Sequence, residues 1–475
     1  MRSTGLLLIA SIGVAAIPAN VCAGDWRQFR GPQGAGNAVG EQALPTEIGP
    51  DRHVVWKTPL PPGHSSPVLT DDRIYLTAVE GESLWTMGLD RDSGRVLWKV
   101  AAPHERLESI HRIGSHAQAS PVTDGERVIS LFGSCGMFCY DRDGQLLWRV
   151  PLGPFKNDFG VGSSPILIDD SVVLVQDHDT DSFLAVYDKQ TGREIWRVDR
   201  SEFTRNYASP TIWTVAGRRQ IVCASSLRVI GYDLESGREL WTVRGIARFV
   251  GATPIVGEDG MLYIAGWGAG GDVGGDKIVL APFDEYAKEF DQSGNGSIEE
   301  SEVPEGPVKM RFSQIDRDKD GSITRQEYDS FKRLLDQGRN SVLAIRPGGS
   351  GEITDTHVAW TYLKHVPFCA TPVLAQGRLF AIKDGGILTA LDARTGKPYK
   401  QARLSSAGDY YSSPVVGDGK VYLTNETGQL TVVSSDGDWR VLHTADFGEN
   451  VYATPAIVDG RIYFRTAGTL YCFKK

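Results

Sequence analysis

Cysteine is scarce in this chain, with six in 475 residues at positions 22, 135, 139, 223, 369 and 472. They form neither a disulfide-framework spacing nor the Cys-x-x-Cys-His that attaches haem, so a disulfide-stapled scaffold and a covalent haem protein are both excluded. Cys135 and Cys139 flank a strand-like Gly136-Met-Phe138; they either pair or stay as thiols, and thiols are the reading preferred. Basic charge is also short. Lys and Arg number 50 against 59 Asp and Glu, a net charge of −9, which leaves no basic stripe to neutralise phosphates and excludes nucleic acid as a partner. No apolar run is long enough to form a transmembrane helix. The longest, residues 6–17, follows Arg2 and precedes Val21-Cys-Ala23, the order of an export signal over residues 1–23, and Ala19-Asn20-Val21 is a poor lipidation context for Cys22. The chain is therefore expected to be exported, periplasmic or secreted from a bacterium. No Ser-His-Asp or Cys-His constellation for nucleophilic catalysis is recognisable.

What the sequence has in plenty is repetition. Residues 162–198 hold four short β-branched and aromatic runs separated by Asp, Gly, Thr and Ser clusters, a four-stranded meander. A Ser-Pro or Thr-Pro opens each copy, at Pro67, Pro121, Pro165, Pro210, Pro254, Pro372, Pro414 and Pro455. Apart from one long insertion the spacing is that of propeller blades, roughly 40–45 residues. The turn Asp188-Lys-Gln-Thr-Gly192 recurs at 90–94, 233–237 and 392–396, where glycine takes up positive φ before the fourth strand. Trp98, Trp148, Trp196, Trp241 and Trp360 then recur in that strand, at a position suited to packing between blades.

The eighth copy ends one strand short, and residues 54–57 near the N-terminus match the fourth strand at 97–100. Joining first and last segments in one blade removes the exposed edges of an open sheet. The fold expected is all-β: an eight-bladed β-propeller over residues 24–266 and 341–475, closed by an N-terminal strand over residues 54–60. The Gly- and Pro-rich residues 24–53 are expected to wrap the outside.

The Asp-x-x-Thr-Gly-x-x-x-Trp pattern at 188–196, with Trp26-Arg-Gln-Phe-Arg-Gly-Pro32, resembles the pyrroloquinoline-quinone-like (PQQ-like) propeller repeat family. It looks most like a secreted bacterial branch that inserts an EF-hand pair into one blade. The resemblance implies two roles. One is a non-enzymatic binding or scaffold protein, similar to the propeller subunit of the outer-membrane β-barrel assembly machinery. The other is a PQQ-dependent alcohol or sugar dehydrogenase, whose family members hold the quinone on the propeller axis with Ca2+ and a catalytic Asp, often under a vicinal disulfide. This chain has no adjacent cysteines, so no motif supports PQQ.

The insertion, residues 280–336 in blade 5, carries two twelve-residue loops of the calcium type. In the first, Asp291, Ser293, Asn295, Ser297 and Glu302 fall at ligand positions 1, 3, 5, 7 and 12; in the second, Asp316, Asp318, Asp320, Ser322 and Glu327 do. Gly296 and Gly321 supply the sharp turn, and Ile298 and Ile323 are placed to pair between loops. The cofactor expected is Ca2+. Pro304 and Pro307 cut short the helix after the first loop.

In a meander, strand 2 to 3 links and blade-to-blade links emerge at one end, called the upper face. His111, His116, Asp177 and His178 fall in such links of blades 1 to 3 and are expected to approach one another as a ligand or transition-metal site. A protein or small-molecule partner is expected on this face.

Overall fold

Middle strands that are apolar on both sides can only be buried between two neighbours. Blade 3 shows the result. Strands Ile166–Ile168, Ser171–Gln176, Phe183–Asp188 and Glu194–Asp199 pair antiparallel in sequence order. Its second and third strands, with Val172-Val-Leu-Val175 and Phe183-Leu-Ala-Val-Tyr187, are buried along almost their whole length, while the outermost alternates exposed and half-buried. The computed structural model describes residues 25–38, 40–269 and 278–475, and it arranges eight such sheets as the blades of a propeller. The expected export signal, with Cys22, lies outside the described residues. No helix among the described residues is long and apolar enough to cross a membrane.

Closure is as expected. Val54–Pro59 forms the outer strand of blade 8 against Thr469–Lys474, with Trp56 opposite Cys472 and Pro59 opposite Thr469. The ring of blades therefore has no sheet left open by a missing strand.

The recurrent tryptophans join blades through one contact. Trp98 donates its indole N–H to the Arg142 carbonyl at 2.9 Å, Trp148 to Lys189 at 3.0 Å, Trp196 to Leu234 at 3.2 Å and Trp360 to Ala393 at 2.9 Å, each in the strand 3 to 4 turn of the next blade. The rings lie so close over the turn glycines that a Cβ on Gly192 would come within 2.7 Å of Trp148, at a φ of +71°. Glycine is thus required there twice over, by conformation and by space. Trp241 departs from the expected position. It is fully buried, donates to Gln220 of its own blade at 2.6 Å and meets Trp213 edge-on at 5.7 Å. Blade 5 lacks the Asp-x-x-Thr-Gly turn, and its strand 3 to 4 link instead lays Gly351–Glu352 parallel to Trp241 and Thr242 as a fifth strand of blade 4.

Residues 25–38 and 40–53 do not wrap the outside. Trp26 bridges Leu69 of blade 1, and the Arg27 carbonyl accepts from Thr123 of blade 2 at 2.9 Å. Asn37 donates to Leu374 of blade 6, and Ala38 to Val416 of blade 7. Glu41 accepts from Asp459 and Gly460 of blade 8. The segment crosses the lower end of the propeller. Arg30, 0% exposed, donates to Gly34, Ala35, Pro372 and Pro414 carbonyls at 3.0–3.1 Å, and burial without a carboxylate lowers its pKa to about 9. A guanidinium buried on carbonyls alone is stable only because its donors are satisfied.

Candidate functional site

The residue before each repeat proline is held extended, which frees its N–H from the helical turn and aims it across to a neighbour. Every one of the eight is Ser or Thr, and together they close a ring. Ser66 N–H donates to Ser120 Oγ, Ser120 to Ser164, Ser164 to Ser209, Ser209 to Thr253, Thr253 to Thr371, Thr371 to Ser413, Ser413 to Thr454, and Thr454 back to Ser66, at 2.9–3.2 Å. The channel-side edge of each inner strand has no neighbouring strand, so the hydroxyls satisfy backbone donors that otherwise face the channel. The Ser-Pro and Thr-Pro pairs set the register in the sequence; their hydroxyls carry this second role.

Above the ring opens an axial cup of about 140 Å³. The residues two places before the ring members line it: His64, Gln118, Gly162, Tyr207, Gly251, Cys369, Tyr411 and Tyr452. Phe159, Phe249 and Phe368 add to the wall, and Phe29 of the N-terminal segment also borders it. His64 stacks on Tyr452 with ring centres 3.9 Å apart, Phe249 on Phe368 at 5.3 Å, and Tyr411 meets Tyr452 at 5.6 Å. Burial, with Arg465 nearby, lowers the pKa of His64 to about 3, so the ring is neutral. None of the described residues lining the cup is Asp, Glu, Lys or Arg.

The four residues expected to meet on the upper face have separate partners. His116 lies 3.3 Å from the buried Glu108 carboxylate, and His111 packs edge-on against Phe159 at 5.5 Å. Asp177 makes a bidentate pair with Arg200, at 2.8 Å for each bond and both side chains buried, with Ser225 and Tyr232 completing the network. His178 packs on Phe155 at 4.7 Å, and burial lowers its pKa to about 4 against the opposing pull of Asp177 and Asp181. The segment from Phe155 to Phe159 separates the pairs: Asn157 donates to the Asp177 carbonyl at 3.4 Å, while His111 N–H donates to that of Asp158 at 2.5 Å. Loop length hid this in the sequence. The described cysteines are free, with burial pushing Cys135 and Cys139 up to about 12.

The insertion folds as three helices, Phe283–Phe290, Phe312–Ile315 and Arg325–Gln337, with Ile298 paired to Ile323 between the two loops. In loop 1, Asp291 accepts N–H groups of Gly294, Asn295 and Gly296, and Glu302 accepts those of Ser293 and Glu299. In loop 2, Glu327 accepts from Arg317 and Thr324 N–H, both at 2.8 Å. Carboxylate oxygens of Asp316, Asp318 and Asp320 gather within 4.8 Å of one another, and among the described residues no other His, Cys, Asp or Glu group does so. Asp316 is 5% exposed, its Oδ1 is buried without a partner, and burial followed by the Glu327 charge raises its pKa. Ser322 Oγ turns to Asp320, and Ser297 Oγ to Asn295. Arg205 donates to the Ser313 carbonyl at 2.6 Å, Lys156 to that of Asp318 at 3.1 Å, and Arg317 to that of Asp179 at 3.3 Å, which tie the insertion to the links of blades 2 and 3.

The fold defines a closed eight-bladed repeat propeller with a helical insertion on one face. Residues 48–152, 87–259 and 354–474 match the model of the family described as outer membrane protein assembly factor BamB, and the chain belongs to that family. The BamB of Yersinia pestis is 21% identical over 329 residues, covering 66% of this chain and 74% of that protein. That of Escherichia coli (strain K12) is 27% identical over 92 residues, which span 19% of this chain and 22% of that protein. The solved BamB of Moraxella catarrhalis shares the fold with a TM-score of 0.56 at 12% identity, over 89% of this chain and 99% of that one. A quinohemoprotein alcohol dehydrogenase from Pseudomonas putida HK5 does so with a TM-score of 0.54 at 13% identity, over 95% and 80%.

Proposed function

We propose that this chain is an exported, calcium-binding, non-enzymatic propeller that holds a partner in outer-membrane protein assembly, the task the names of its relatives describe. The observation that carries this reading is the axial cup, whose lining has no charged side chain among the described residues and whose hydroxyl ring already has each oxygen engaged by a backbone donor. The rival, a quinoprotein oxidoreductase, needs cations for the carboxylates of PQQ and oxygen ligands for its metal. The residues lining the cup do not fit that group.

For Ca2+ the fit is good. Loop 2 would hold the ion through Asp316, Asp318, Asp320 and Glu327, with the Ser322 carbonyl, and the orphaned Asp316 Oδ1 is the oxygen left without any other partner. Loop 1 offers Asp291, Ser293, Asn295, Ser297 and Glu302, with fewer carboxylates. Calcium here serves as a clip that fixes the insertion over the upper face. The two readings separate in one assay: the protein mixed with PQQ and calcium chloride is scanned for an altered quinone spectrum and then assayed for dye reduction with alcohols and sugars. No spectral change and no reduction are expected; alcohol-dependent dye reduction would establish the oxidoreductase instead.

A further inference from the structure

A second cavity, of about 210 Å³, lies where the insertion meets the propeller. The helix Arg325–Gln337 provides one wall with Phe331, and the links around Arg248, Phe249 and Trp267 provide the other. It backs on to the axial cup, since Phe159, Tyr207, Phe249 and Phe368 line both. Trp267 meets Phe368 edge-on at 5.0 Å, so the shared wall is a continuous run of aromatic rings.

The acids at this cavity are already engaged. Asp158 pairs with Arg205, and Glu327 accepts from Arg317 N–H, Thr324 N–H and Thr324 Oγ1. The cations are not all matched. Arg205 is held by Asp158 and Asp179, but among the described residues no carboxylate lies within ion-pair distance of Arg248 or Arg317. Arg248 gives its Nε to the Ala269 carbonyl at 3.2 Å, and its guanidinium lies 5.7 Å from the centre of the Phe331 ring. It is wedged in place: a Cβ on Gly268 would come within 2.7 Å of its Cγ, and one on Gly338 within 2.8 Å of its backbone nitrogen. Burial, with Arg311 and Arg205 close by, lowers its pKa to about 10, which still leaves it charged at neutral pH. Arg317 Nε and Trp267 Nε1 are buried donors with no hydrogen-bond partner among the described residues. Each buried donor left unpaired costs ~1–3 kcal/mol, and these two, together with the Arg248 guanidinium that no described carboxylate pairs, are the polar half of a ligand site at one aromatic-walled cavity.

We propose that this cavity binds a small organic carboxylate with an aromatic body, its carboxylate facing Arg248, Arg317 and the Trp267 indole N–H and its ring lying against Phe249, Phe331 and Phe368. A guanidinium facing a carboxylate forms charge-assisted hydrogen bonds, and the rings exclude the water that would screen them. The site is independent of the partner-holding role.

The test is calorimetry on the whole chain in calcium-containing buffer, with phenylacetate, its neutral amide phenylacetamide, and acetate. Phenylacetate binds saturably, and both the amide and acetate bind at least about tenfold more weakly. Arg248→Gln lowers phenylacetate affinity about tenfold or more, Arg248→Lys recovers part of it, and Trp267→Phe weakens it several-fold. Equal affinity for acid and amide, acetate as tight as phenylacetate, an unaltered Arg248→Gln, or no saturable phenylacetate binding would each overturn the assignment. Thermal melting reports whether the variants fold; if Arg248→Gln does not, the acid and amide comparison on the parent protein still decides.

Discussion

Two carboxyl-bearing loops of similar sequence differ most at single residues. Loop 2 brings Asp316, Asp318 and Asp320 within 4.8 Å, with Asp316 Oδ1 buried and unpaired, whereas loop 1 has Ser293 and Asn295 at the equivalent middle positions. More anionic oxygens favour a dication and repel one another when it is absent. Asp316→Ala should therefore lower calcium affinity at least about tenfold, ~1.4 kcal/mol, and Asp291→Ala less, by calorimetry; equal losses would contradict the ranking. A second residue sets an acid limit. Both ring nitrogens of His178 are buried without partners, and its pKa falls from 6.5 to about 4. Between those values the unfolded chain takes up a proton that the folded one refuses, so stability falls as pH drops from about 6.5 to 4 and is constant in this respect above it. Replacing His178 with Phe should remove about 1–3 kcal/mol of that loss, read from urea unfolding at pH 7.5 and 4.5; an unchanged difference between the two would refute it.

At the scale of elements, blades were legible in the sequence because each repeats the same local chemistry. Extended Ser-Pro or Thr-Pro starts, doubly buried middle strands, Gly turns and outer-strand tryptophans all act over a few residues, and the closing strand shares the outer-strand pattern around Trp56. What was not legible depends on partners far along the chain. Trp241 turns inward because blade 5 has a different turn, and residues 25–38 and 40–53 cross the lower end because Arg30 finds its carbonyls more than 300 positions away. The four upper-face residues were dispersed for the same reason, by a Phe155 to Phe159 link whose path no local pattern specifies. Two elements yield tests. Ser164→Ala deletes the acceptor of the Ser120 N–H and should cost ~1–3 kcal/mol of unfolding free energy, with Ser164→Thr closer to the parent; a neutral Ser164→Ala would show the ring to be incidental. Arg30→Ala should lower stability by about 3 kcal/mol or more, since it empties a fully buried site and leaves carbonyls of blades 6 and 7 unpaired, and unchanged melting would argue against the crossing segment as a structural tie.

For the molecule as a whole, a propeller tied across its lower end by residues 25–38 and 40–53 carries the aromatic cup and the insertion at its upper end. The chain belongs to the BamB family, and no Asp, Glu, Lys or Arg is among the described residues lining the cup; the proposal of a holding role rests on these two observations. If calcium clips the insertion in place through the Arg205, Lys156 and Arg317 contacts, its removal should loosen residues 278–340 while the blades stay intact. The most direct measurement of the central claim is the abundance of outer-membrane β-barrel proteins, by quantitative mass spectrometry, in the native host with the gene deleted and then restored. The account predicts a several-fold fall across many barrel proteins that the wild-type gene reverses; barrel levels unchanged by the deletion would contradict it.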